Sequence, residues 1–163
     1  MLNIKARALE GGGADLLILA TDPMHKVAEP MMTGVAIPLL HIADATAARI
    51  RAAGLRRPGL MATAFTMEQS FYTSRLTAAG LQPTIPETPD RGKIHCIIFQ
   101  ELCRDIVTDC SRAAYVTMAD RLAARGADSL ILGCIEVGML LNRGNVAVPV
   151  FDTALIHRET ALA

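Results

Sequence analysis

The sequence predicts an α/β protein of two pseudosymmetric parallel-sheet lobes, with the first lobe incomplete. Three observations carry the prediction. Gly13-Ala14-Asp15-Leu16-Leu17-Ile18-Leu19-Ala20-Thr21 is nearly repeated as Gly126-Ala127-Asp128-Ser129-Leu130-Ile131-Leu132-Gly133-Cys134, and each copy holds a short apolar run of the kind that forms a strand buried on both faces of a parallel sheet. A second pair, Val35-Ala36-Ile37-Pro38-Leu39-Leu40-His41 and Val146-Ala147-Val148-Pro149-Val150-Phe151-Asp152, follows at nearly the same distance downstream. One local plan used twice implies internal duplication. Finally, residues 2 to 10 read as the end of a helix stopped by Gly11-Gly12-Gly13. Such a helix should be the crossover from an earlier strand, so an N-terminal βαβ portion is expected to be missing. The division expected from this pattern assigns residues 1–44 and 148–163 to the remnant of the first lobe and 45–147 to the second.

Taken in order, the first strand spans 16 to 20 and delivers Thr21-Asp22-Pro23. Pro23 suits the first turn of a helix, which Thr21 or Asp22 would cap and whose free N–H groups would face an anion. Ala36 to Leu40 is the second strand, and Asp44 caps a helix to Ala53 that Gly54 ends. Gly59 to Ala62 is a strand that carries Thr63 and Thr66 to its carboxyl end, ahead of a helix from Met67 to Ala79. The ordinary role of either Thr alone is turn and cap chemistry. A weak strand at 81 to 85 leads into a Pro-rich loop. Helices follow from Lys93 to Cys103, with Ile94, Ile97, Ile98 and Leu102 on the buried face, and from Asp109 to Arg125. The Cys134 strand, a helix from Ile135–Glu136 through Leu141, a strand at 148 to 151 and a terminal helix from Thr153 complete the chain.

Composition narrows the function. With 163 residues and equal numbers of acidic and basic side chains, the chain buries a core unaided and lacks the basic footprint of a nucleic-acid binder. No stretch has the length of a membrane span or a signal-peptide core, so a cytoplasmic protein without membrane partners is expected. The four cysteines form no CxxC pair and no His stands at a ligand spacing, which argues for free thiols and against a metal site. Cys96, Cys103 and Cys110 would lie along one face if a helix ran through all three. Cys134 differs, because it ends a strand. Ligands of open α/β sheets sit beyond the carboxyl ends of the strands, so Cys134 and its counterpart Thr21 are expected to face each other across one cleft.

The segments Met24-His25-Lys26-Val27-Ala28, Leu40-His41-Ile42-Ala43-Asp44-Ala45-Thr46, Thr66-Met67-Glu68-Gln69, Ile97-Ile98-Phe99-Gln100-Glu101-Leu102-Cys103, Leu132-Gly133-Cys134 and Val150-Phe151-Asp152-Thr153 resemble the cofactor-independent aspartate/glutamate racemase family, in the branch with Thr at the first base position. They span nearly the whole chain in order. The resemblance implies flavodoxin-like layers in two lobes with the active site between them, no cofactor or metal, a homodimer, and a small acidic amino acid as substrate. It implies Thr21 and Cys134 as the catalytic pair, and Asp22, Pro23, Thr63, Thr66 and Ile135 as substrate-binding positions. Asp22 and Pro23 stand where the family has an amide and a hydroxyl, and Ile135 where it has a Thr. A thiol, ordinarily near about 8.5, needs a modest downward shift to serve as a base. Two other readings stay open: a homologue without turnover that binds a ligand or a partner, and a hydantoin racemase or decarboxylase using the same Cys.

Overall fold

The computed structural model describes residues 1–163. Two parallel sheets organise it. A small one pairs β1 (Leu17–Ile18) with β2 (Leu39–Leu40), and a larger one has the order β3 (Pro58–Ala62), β4 (Ser129–Gly133), β5 (Val150–Asp152). The duplication read from the sequence holds at the level of register. Leu17 pairs with Leu39 and Ile18 with Leu40, while the equivalent positions pair as Leu130 with Val150 and Ile131 with Phe151.

The three-stranded sheet is the core. Every residue of β3 and β4 is buried, as expected for parallel strands covered on both faces. Helix α7 (Asp109–Ala124) lays Ser111, Tyr115, Met118, Ala119 and Leu122 into the protein, a stripe of helical period. Its first turn is closed by Thr108, whose hydroxyl accepts from the Ser111 amide. Gly126, at φ +93, turns the chain out of the helix into β4. Gly133 is required for another reason: a Cβ there would come within 2.9 Å of both Ala62 Cβ and Leu60 Cδ1. The two strand ends that approach the site can lie this close only because the residue before Cys134 has no side chain.

The first half is thinner. Helices α1 (Leu2–Gly11) and α2 (Ala28–Met32) flank β1 and β2, where Ala6, Leu17 and Met31 form a separate cluster of three buried apolar residues. The expected strands at 16 to 20 and 36 to 40 contract to two residues each, paired with one another in a two-stranded sheet. Glu10 of α1 anchors the chain that leads into β2, its Oε1 accepting from the amides of Ala36 and Ile37 at 2.7 and 3.2 Å.

The halves meet through the helices that follow the duplicated strands, α3 (Ile42–Ala52) and α8 (Thr153–Ala161), which pack against each other. Their N-caps are equivalent residues of the repeat. His41 Nδ1 accepts from the Ala43 amide and Asp152 Oδ1 from the Leu155 amide, so His41, not Asp44, caps α3. By hydrogen bonding β5 belongs with β4. Each duplicated strand stays in its own sheet, and the helices after them, α3 and α8, pack against each other.

Other expectations are corrected. The helix expected from Met67 to Ala79 is two, α4 (Ala64–Glu68) and α5 (Ser70–Ala78), separated at Gln69, whose ψ of 145 is extended. After α6 (Thr88–Gln100) the chain makes one 3-10 turn and reaches Asp105 at φ 58. No helix therefore links Cys96, Cys103 and Cys110, and all three are exposed. The segment after Cys134 is a 3-10 turn over Ile135–Met139, not a helix through Leu141. No helix is long and apolar enough to cross a membrane.

Candidate active site at the strand ends

Cys134 is half-buried at the end of β4, in extended backbone (φ −156). The 3-10 turn that starts at Ile135 brings the chain back, and Cys134 Sγ donates to Glu136 Oε2 at 2.8 Å. Burial pushes the thiol up well above its ordinary value, and the bond to Glu136 and the charge of Glu136 push the same way. The downward shift anticipated for a resting base is absent. At rest Cys134 is a thiol whose proton already points at a carboxylate. Ile135, between the two, is exposed and contributes no polar group.

Thr21 is half-buried at the end of the first half's strand. Its carbonyl accepts from His25 Nδ1 at 2.9 Å, which leaves Nε2 to accept from the Ile42 amide at 3.3 Å. Pro23 opens a 3-10 turn, Pro23–Val27, as its missing N–H allows. Neither Thr21 nor Asp22 caps that turn through its side chain. Asp22 instead is 2% exposed and reaches into the other half, where Oδ2 lies 3.4 Å from Thr153 Oγ1. The Thr153 hydroxyl also stands 2.9 Å from the Leu132 carbonyl, two residues before Cys134. Burial pushes the Asp22 carboxyl up to about 7; Asp152 and Glu136 add to the rise, and the Thr153 bond opposes it.

Thr63 and Thr66 form one unit at the end of β3. The Thr63 hydroxyl accepts from the Thr66 amide at 3.4 Å and lies 3.2 Å from the Thr66 hydroxyl. Thr63 is therefore the N-cap of α4, and Thr66 is fully buried. Lys26 Nζ sits 5.2 Å from the centre of the Phe65 ring, which holds the turn after Thr21 beside the turn after Thr63. Three strand ends thus converge: Thr21 and Asp22, Thr63 to Thr66, and Cys134 to Glu136. An open groove of about 950 Å³ runs along β5 beside Leu132, Gly138 and Asp152, and it is lined by neither Thr21, Thr63 nor Cys134.

A buried histidine cluster lies behind the strand ends. His25 is 4.3 Å from His41 and 5.8 Å from His157, centre to centre, and His157 Nε2 donates to the Leu40 carbonyl at 2.9 Å. Burial lowers His25 and brings His41 down to about 3. Both are neutral at pH 7; His25 spends both ring nitrogens on backbone groups and His41 its Nδ1, as structural histidines do. No group of three or more His, Cys, Asp or Glu side chains is arranged to hold a metal ion. Asp152, Thr153 and His157 were missed as site residues by reading the sequence. Asp152 and Thr153 gave a signal there, in the segment Val150-Phe151-Asp152-Thr153 that carries the resemblance, and Asp152 also as the counterpart of His41; His157 gave none.

Comparison with known proteins places the chain. It is similar to a candidate Asp/Glu racemase from Yersinia pestis, with 42% identity and a TM-score of 0.94 over 98% of this chain and 70% of that one. It is similar also to an aspartate racemase homologue from Pyrococcus horikoshii, with 31% identity and a TM-score of 0.90 over the same shares. An uncharacterised protein of Pectobacterium carotovorum is 29% identical over 105 residues, 64% of this chain and 69% of that protein. The family model of Asp/Glu/Hydantoin racemases matches residues 2–161, and the chain belongs to that family.

Proposed function

We propose that the chain interconverts the L- and D-forms of a small acidic amino acid by two-base transfer of the α-proton, with no cofactor. Cys134 is one proton carrier and Thr21 the other. Pro23, Thr63 and Ile135 form the walls that receive the substrate, with the buried Asp22 and Thr66 directly behind them. Family membership supports the reaction class, and the likeness to an aspartate racemase homologue supports an acidic substrate. The observation that carries the reading is the Cys134 Sγ to Glu136 Oε2 hydrogen bond of 2.8 Å at a strand end. A raised thiol becomes a base by passing its proton to a carboxylate already in contact. The thiolate then removes the α-proton, and the Thr21 hydroxyl returns a proton to the opposite face of the carbanion. Proton release from Glu136 and uptake by the Thr21 oxygen restore the resting site, so the cycle is proton-neutral.

Solvent deuterium incorporation at the α-carbon of L- and D-aspartate and of L- and D-glutamate tests this. The expected result is incorporation by the wild-type chain that is lost in Cys134→Ala. Absence of exchange in the wild type, with aspartate still raising its Tm, would assign ligand binding without turnover.

A further inference from the structure

Asp22 is the most unusual group of the site. Its Oδ1 is buried with no hydrogen-bond partner, and the buried Tyr72 hydroxyl is in the same condition. The other oxygen, Oδ2, has one partner, the Thr153 hydroxyl at 3.4 Å. A hydroxyl carries a single proton. At 2.9 Å from the Leu132 carbonyl, which can only accept, the Thr153 proton is already committed. The Thr153 oxygen can then face Asp22 favourably only as an acceptor, which requires the proton of that contact to sit on Asp22.

We propose that Asp22 is a positioning residue that works as the neutral acid: its O–H donates to the Thr153 hydroxyl, which donates to the Leu132 carbonyl, and this chain of bonds fixes the Thr21 end of one half against the Cys134 end of the other. The inference rests on the two-base reading for what is positioned. Of the titratable groups around Asp22, the two carboxylates favour the neutral form, and Tyr72 and Cys134 bring no positive charge. Asp152 and Glu136 face it from the start of α8 and the turn after β4, Tyr72 from α5, and Cys134 from the end of β4. His25, in Asp22's own turn, is held neutral by burial and brings no compensating charge. An ionised Asp22 would compete with Leu132 for the Thr153 proton and repel both neighbouring carboxylates. The bond chain would break at its middle, and the two strand ends would lose their common tether.

Two measurements on the intact chain decide the matter. Infrared difference spectra across pH 5–9 should show a protonated-carboxyl band that disappears with a midpoint near pH 7 and is missing in Asp22→Asn. The α-deuterium exchange rate should fall about tenfold per pH unit above that midpoint, because only the protonated fraction is competent. In Asp22→Asn, whose amide N–H donates to Thr153 at every pH, that alkaline limb should vanish, whatever the absolute rate. No protonated-carboxyl band, or an alkaline limb unchanged in the Asn variant, overturns this inference while leaving the two-base reading standing. A chain that shows the band but exchanges no α-proton at any pH overturns the two-base reading and the positioning role together.

Discussion

The two halves carry the same local plan and come out differently. In the second half, β4 has strands on both sides, every residue is buried, and the strand stands in a cluster of 29 buried apolar residues. In the first half, β1 has one neighbour, two residues, and Ile18 half exposed, beside a cluster of three. Sequence similarity between the copies therefore sets register and strand-end chemistry, while burial depends on what lies alongside. Cys134 is held on a rigid frame. Thr21 depends on ties to other elements: His25 on its own carbonyl, and Asp22 reaching to Thr153.

That contrast can be broken at several points. The largest effect is expected at the proton carriers: Cys134→Ala should lower α-proton exchange by about 10²–10⁴-fold, measured by NMR in deuterated buffer. The two enantiomers should also differ in wild-type exchange rate, since a Thr hydroxyl holds negative charge less well than a thiol. Equal rates would show the two walls to be chemically equivalent. Next comes the frame. Leu130→Ala should cost about 2–5 kcal/mol, whereas Leu17→Ala, at the equivalent position, should cost about 1–2 kcal/mol, both read from urea unfolding. Equal losses would mean the first half is packed as tightly as the second.

Asp22 gives a pH-dependent effect of intermediate size. Its folded value lies above its ordinary one, so the folded state holds a proton the unfolded chain releases. The stability this contributes is full below the ordinary carboxylate range and is lost as pH rises through about 7. The loss should be on the order of 1–4 kcal/mol, seen as a fall in Tm from pH 5 to pH 8 that Asp22→Asn lacks. The comparison between the two chains matters, because neutral His25 and His41 act with opposite sign. Their lowered values mean that stability is present above about 6.5 and is lost on acidification. The smallest effect is expected at Thr63, where loss of the N-cap in Thr63→Ala should cost about 1 kcal/mol by thermal unfolding.

Much of this architecture is legible in the sequence because it is local. The apolar run of β4, the stop at Gly126, the stripe of α7 and the strand-end position of Cys134 follow from residues near one another. The duplication is legible too, and pairing of Leu17 with Leu39 and of Leu130 with Val150 bears it out. What was not legible is long-range. Burial of Asp22 depends on Thr153, and the histidine cluster joins positions 25, 41 and 157. The raised Cys134 thiol follows from burial and from a carboxylate brought back by a tight turn, where the sequence alone left a thiol in need of only a modest downward shift. The stripe expected of Cys96, Cys103 and Cys110 failed because the chain leaves the helix before the second of them.

A crystal structure of the chain with bound D- or L-aspartate would test the account at its centre. The α-carbon should lie between Thr21 Oγ1 and Cys134 Sγ, with one oxygen or sulfur on each face and the carboxylates toward the Thr63–Thr66 turn. An aspartate seated elsewhere, or with both groups on the same face of its α-carbon, would contradict it.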